Sequence, residues 1–331
     1  MNGFLKIVIS TLLVALVVVS LALYLSQQPR KFRIHVHSGG RGVGEDIYVT
    51  AILNCSLPKV PTDIPILEVV RHNYTEDEAI AIAREFFNLT GELNVTRPFN
   101  GTTLIVTNDT HRILLYDDGA LEYHISSSEI FTRESEFIGK LPEFSEAKEI
   151  ADKFVNQFIQ KAKDHKLINS FPLMQIEFSR VDFCEWYGEP PQNIKPITIG
   201  VYYRVMYNGI PLIFKGGIRV EIMKGGKITW FDVWWRDVKL GEPIPISVSP
   251  EQAIENMDIK LPINTSANEI KSLYIDSVTF GYFTPAPSPL EHERFTSFLP
   301  AYEVTFHAIL KDGSEYDDIE YVSATSLSIP L

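Results

Sequence analysis

SEAKEIADKFVNQFIQKA, residues 145–162, is the most regular stretch of the chain. Ala147, Ile150, Ala151, Phe154, Val155, Phe158, Ile159 and Ala162 recur at the three- and four-residue spacing of one helical face. The opposite face is Lys, Glu, Asp, Gln and Asn. Ser145 is placed to cap the first turn. A helix with one apolar face needs an apolar surface beneath it, and the sequence that follows offers a sheet.

Strand candidates lie near 174–183, 197–207, 210–223 and 227–238, with Asn208-Gly209 and Gly225-Gly226 as turns. In the last of them Trp230, Asp232 and Trp234 alternate with Phe231, Val233 and Trp235, so the two sets occupy opposite faces. One set is expected to pack under a helix. The other is a candidate aromatic platform for a protein or sugar partner. Trp186, in the proline-rich loop 184–196, joins Trp230, Trp234 and Trp235 as the candidate binding surface.

The pattern recurs on both sides. Ser249, Pro250 and Gln252 open a short third helix. Strands are expected after it near 271–283, 300–310 and 317–326. Val181-Asp182-Phe183 matches Val278-Thr279-Phe280, and Tyr203–Tyr207 matches Tyr302–Phe306 in aromatic alternation. Towards the N-terminus, Thr75 and Glu78 form a capping box for a helix over 75–89, and THRILLYDDGALEYHIS (110–126) reads as a hairpin. The predicted fold class is α+β: helix-on-antiparallel-sheet units repeated two or three times. The predicted organisation is a tip, anchor and linker over 1–31, a lobe over 32–135, and units over 136–246 and 247–331.

NGIPLIFKGGIRVEIMKGGKITWF (208–231), SPEQAIENM (249–257), FLPAYEVTF (298–306) and YDDIEYVSATS (316–326) carry a resemblance. Over roughly 145–328 the chain resembles PepSY-type domains and, more closely, the YycH/YycI family of membrane-anchored regulatory proteins. The resemblance implies a non-enzymatic role: modulating a membrane sensor kinase, restraining a protease or organising envelope components.

IVISTLLVALVVVSLALYL, residues 7–25, carries no charge. At ~1.5 Å per residue a helix of this length reaches about 29 Å, enough to cross a bilayer core. It is read as an uncleaved single-pass anchor contacting membrane lipid. Lys6 before it and Arg30, Lys31 and Arg33 after it lean towards a cytoplasmic body. Seven N-x-S/T acceptors, Asn54, Asn73, Asn88, Asn94, Asn100, Asn108 and Asn264, lean the other way, since composition alone predicts roughly two. The body is therefore expected to be extracytoplasmic and glycosylated. Cys55 and Cys184 are candidates for a disulfide in that setting.

The net charge of −12 argues against nucleic acid, which requires clustered Lys and Arg. Ser145-x-x-Lys148 lacks the companion motifs of penicillin-binding enzymes, and neither G-x-S-x-G nor H-E-x-x-H occurs. His35-x-His37 puts two imidazoles on one strand face but shows no third ligand, so neither metal nor cofactor is expected. The acidic run Asp312, Glu315, Asp317, Asp318 and Glu320 reads as a solvated hairpin tip. These features point to a non-catalytic binding or regulatory protein that touches an envelope protein partner at the cell surface. The rival classes are an envelope glycan or peptide hydrolase using paired carboxylates, and a structural subunit of a surface layer or filament.

Overall fold

The computed structural model of the chain describes residues 29–38, 47–98, 103–125, 141–184, 186–187, 195–214, 216–261, 265–284 and 296–327. Strand makes up 51% of the structure and helix 20%, so the fold is mostly β-sheet. In chain order the elements are β1 (Lys31–His37), β2 (Ile47–Leu53), β3 (Asp63–Val69), α1 (Glu76–Phe87), β4 (Asn94–Thr96), β5 (Thr103–Thr107), β6 (His111–Tyr116), β7 (Leu121–Ile125), α2 (Phe144–Asp164) and β8 (Met174–Phe183). They continue as β9 (Ile199–Tyr207), β10 (Ile210–Phe214), β11 (Gly217–Ile222), β12 (Ile228–Val233), β13 (Val238–Pro245), α3 (Pro250–Glu255), β14 (Asp258–Lys260), β15 (Ile270–Thr284), β16 (Ser297–Leu310) and β17 (Glu315–Ser323). Trp186–Tyr187 and Lys195–Pro196 pair as a separate short ribbon.

The described residues fall into two compact units. One is drawn from 1–58, 250–278 and 304–320, the other from 59–249, 279–303 and 321–331. This division cuts across the boundaries 32–135, 136–246 and 247–331 predicted above.

In the first unit β1 runs antiparallel to β2, with Phe32 opposite Ala51, and parallel to β14, with His35 opposite Asp258. The first half of β15 lies parallel to β2, with Leu273 opposite Ala51. Alternation dictates the faces: Phe32, Ile34 and Val36 are buried, while Lys31, Arg33, His35 and His37 take the other side.

In the second unit one antiparallel sheet runs β8-β9-β11-β12-β7-β6-β5-β4. Asn208 and Gly209, both at positive φ (49° and 74°), make the tight turn from β9 to β10. Both long helices lie on one face of this sheet. Phe231 of β12 meets Phe154 and Phe158 of α2 at 4.9 and 4.7 Å between ring centroids, and Phe87 of α1 at 6.1 Å. Ala147, Ala151 and Ala162 are fully buried, so small side chains bring the α2 backbone close to the strands. Each fully buried phenylalanine contributes roughly 1.5–3 kcal/mol. Thr75 and Glu78 form the predicted capping box of α1. At α2 the N-cap is Glu143, whose side chain makes no capping bond, and Ser145 lies inside the helix.

Two expectations are corrected. The first is the α+β fold class with repeated helix-on-sheet units behind a membrane helix. Among the described residues there are three α-helices, and the third, α3, spans six residues. It ends because the helical spacing of Ala253 and Ile254 gives way to alternation: Met257, Ile259 and Leu261 are buried, while Asp258 and Lys260 face outward. The chain therefore turns into β14 beside β1 and forms no third copy of the α2 arrangement.

The second is the placement as a single-pass membrane protein. Among the described residues no helix is long and apolar enough to cross a membrane. The longest, α2, spans 21 residues and carries Lys, Glu and Asp along its outer face. The stretch 7–25 lies outside the described residues.

Candidate binding cleft on the sheet face away from the helices

Strand alternation and register together build the site. Val201, Tyr203, Val205, Ile218, Val220, Phe231 and Val233 point towards the helices and are buried. Their neighbours point the other way. There, Arg180 of β8 lies opposite Tyr202 of β9, Tyr202 opposite Arg219 of β11, Arg219 opposite Asp232 of β12, and Asp232 opposite Glu122 of β7. Two guanidinium groups, a phenol and two carboxyls thus cross five strands in one row. On this side a cleft of about 310 Å³ is lined by Arg180, Arg204, Arg219, Tyr202, Asp232 and Trp234 among others.

Arg219 is the centre of the cationic part. It bonds the buried carboxylate of Glu221, which also accepts from the Thr198 hydroxyl at 3.2 Å. Its guanidinium carbon lies 5.7 Å from the Trp230 ring centroid. Its Nε is buried and has no hydrogen-bond partner among the described residues. Arg180 stands over Tyr202, 4.6 Å from the ring centroid, and is itself exposed, as is Arg204.

Asp232 is the centre of the acidic part. Burial, with the Glu122 charge beside it, pushes its carboxyl up to about 7, against the opposing pull of the Trp230 indole N–H and Arg219. Glu122 accepts from the Tyr116 hydroxyl at 3.0 Å. His124, one row further along β7, stacks on Trp230 at 5.0 Å, and burial with the nearby Arg112 charge holds its imidazole below the usual histidine range.

The predicted tryptophans separate. Trp230 and Trp234 are half-buried on this face. Trp235 is fully buried, 5.8 Å from Phe158 of α2, and donates to the Gly119 carbonyl at 3.1 Å. It belongs to the core and not to a binding surface, because alternation turns it towards the helices. Trp186 lies in the short ribbon with Lys195–Pro196.

Cys55 and Cys184 are free thiols, one in each unit. Cys184 lies 3.0 Å from the Tyr202 hydroxyl, and burial pushes the Cys55 thiol up. Asn54, Asn73, Asn88 and Asn94 are exposed. Asn108 is half-buried, and its side-chain oxygen accepts from the backbone N–H groups of Thr110 and His111. Asn100 and Asn264 lie outside the described residues.

Sequence reasoning identified Asp232 and Trp230 as sharing a face. It missed Arg180, Arg204, Arg219 and Glu122. Arg219 alternates with Ile218 and Val220 in β11, so its side was readable; its neighbours across the sheet were not.

No family model matches the sequence, and neither does any curated protein. Among solved structures the chain is similar to an uncharacterized protein from Eubacterium rectale, determined at 1.45 Å resolution. The two are 13% identical, the match covers 84% of this chain and 89% of that one, and the TM-score is 0.46.

Proposed function

We propose that this chain is a non-catalytic binding protein that recognises a carboxylate-bearing segment of a protein partner in the cleft. The observation that carries the reading is a cleft lined by three arginines, Arg180, Arg204 and Arg219, of which Arg180 and Arg204 are exposed. A guanidinium edge presented in this way suits a carboxylate, which accepts two parallel hydrogen bonds. Tyr202 and Trp234 supply flat apolar area for the rest of the segment.

The test is binding of a panel of Asp- and Glu-containing peptides, followed by tryptophan fluorescence and repeated at rising salt. Arg219 also holds Glu221, so the main variant is Arg180→Met with Arg204→Met, which leaves that buried pair intact. Wild type is expected to retain acidic peptides in preference to their amidated forms. The double variant should lose at least tenfold. Equal binding by both proteins would overturn the proposal.

A second reading is favoured by one observation: the raised carboxyl of Asp232 faces Glu122 directly across the ladder. A protonated acid beside a second carboxyl is the arrangement of an acid–base hydrolase of glycans or peptides. Turnover of such substrates by wild type, abolished in Asp232→Asn, would decide for that reading.

A further inference from the structure

We propose that His35, His37 and Asp258 form a binding site for a divalent transition-metal ion, with zinc as the ion that best suits the donor set. The site lies in the first unit and is independent of the cleft.

Alternation along β1 puts both imidazoles on the same outward face. The missing third ligand comes from far along the chain. β14 lies parallel to β1 with Asp258 opposite His35, so the carboxylate rises beside the two rings. One carboxylate oxygen is shared between them: Asp258 Oδ1 lies 3.0 Å from His35 Nδ1 and 2.6 Å from His37 Nε2. The three ligand atoms all lie within 4.8 Å of one another. In a tetrahedral zinc site with bonds of about 2.0–2.1 Å, ligand atoms stand about 3.3 Å apart. Reaching that geometry draws Asp258 Oδ1 back by about 0.3 Å from His35 and about 0.7 Å from His37, a movement its half-exposed side chain can make.

The surroundings hold the rings in place. Tyr48 of β2, opposite His35 in register, packs against the His35 ring at 5.1 Å between centroids. Arg33 covers the Tyr48 ring at 4.3 Å. All three ligands stand on hydrogen-bonded strands, which hold a constellation more rigidly than loops do. Two imidazole nitrogens and one carboxylate oxygen leave a fourth position towards solvent, as in zinc sites that bind water or a ligand. Arg33 and Lys260 share that face, so an anion is the favoured fourth ligand.

The experiment uses the full chain, stripped with a chelator and titrated with zinc against a chromophoric competitor. Wild type is expected to take up zinc at this site with micromolar or tighter affinity. Asp258→Asn and the double variant His35→Asn, His37→Asn should each weaken uptake at least tenfold, with unchanged circular dichroism. Histidine acylation mapped by mass spectrometry gives a readout on wild type alone. Zinc should protect His35 and His37 and leave the exposed His165 reactive. Absence of zinc uptake, unchanged uptake in both variants, or protection elsewhere only would each overturn the proposal.

Discussion

Asp232 and Glu122 stand opposite each other on adjacent strands, facing away from the helices. Directly opposed side chains lie about 5 Å apart at Cβ, so two charges there repel. Asp232 is the more buried of the two, and burial, with Glu122 as the second cause, raises its carboxyl to about 7. An unfolded aspartate titrates near pH 4, at about 3.9. The folded chain therefore holds a proton here that the unfolded chain has released. The contribution to stability is complete below about pH 4 and is lost as pH rises through about 7, by an amount on the order of 2–4 kcal/mol. Asp232→Asn keeps an acceptor for the Trp230 indole and removes the titration. Urea unfolding of both proteins from pH 4.5 to 8 should show wild type losing stability relative to the variant as pH rises. Parallel profiles would contradict this account.

Asp237 is the opposite case. It is fully buried, but its carboxylate accepts from the Asn169 and Ser170 backbone N–H groups at 2.9 and 2.8 Å, and from the Asn169 amide at 3.0 Å. His72 Nε2 lies 2.8 Å from Oδ2, the oxygen that the Asn169 amide also reaches. Burial works to raise the carboxyl, yet the hydrogen bonds from His72, Asn169 and Ser170 together outweigh it and hold the group below the usual range. Its contribution is present above about pH 4 and disappears as the carboxylate is protonated in acid. Asp237→Ala strands several buried donors and should cost about 3–5 kcal/mol in urea unfolding at pH 7. A loss under about 1 kcal/mol would show that the surrounding loop relaxes to find other partners.

Much of the local structure was readable because it rests on short-range periodicity. The α2 stripe, the capping box of α1 and the Asn208-Gly209 turn each depend on residues within a few positions of one another. What lies across strands was not readable. Glu122 joins the row Arg180, Tyr202, Arg219 and Asp232 only because β7 sits beside β12, and no local spacing specifies that neighbour. Asp258 reaches His35 and His37 for the same reason. The short helix opened by Ser249, Pro250 and Gln252 forms as α3, and it stops where the alternation of Met257, Ile259 and Leu261 takes over.

Thr75 serves two roles that can be separated. Its hydroxyl accepts from the Glu78 backbone N–H at 3.2 Å, and it is also the third residue of the Asn73 acceptor motif. Thr75→Ala removes both and should cost about 1 kcal/mol from the lost cap. Thr75→Ser keeps both. Asn73→Gln removes only the acceptor motif and should leave the unglycosylated protein's stability unchanged. Thermal unfolding of the three variants made without glycosylation checks the cap alone. An alanine variant as stable as the serine one would remove the capping box from the account of α1.

Gly200 makes room for the contact between Cys184 and Tyr202. A Cβ at Gly200 would lie 2.2 Å from Cys184 Sγ and 2.9 Å from the Tyr202 ring. The Cys184 Sγ is itself 3.0 Å from the Tyr202 hydroxyl, so the three residues occupy one packed volume. Gly200→Ala forces the thiol and the ring apart and should cost about 1–3 kcal/mol. Cys184→Ala removes the nearer obstacle. The double variant should therefore be more stable than the sum of the single losses predicts, with a coupling of at least about 0.5 kcal/mol. The displaced ring is Tyr202, the residue under Arg180, so Gly200→Ala should also weaken acidic-peptide binding, and Cys184→Ala in the same chain should restore part of it. Additive stabilities together with unchanged peptide binding would show that the ring does not transmit the clash to the cleft.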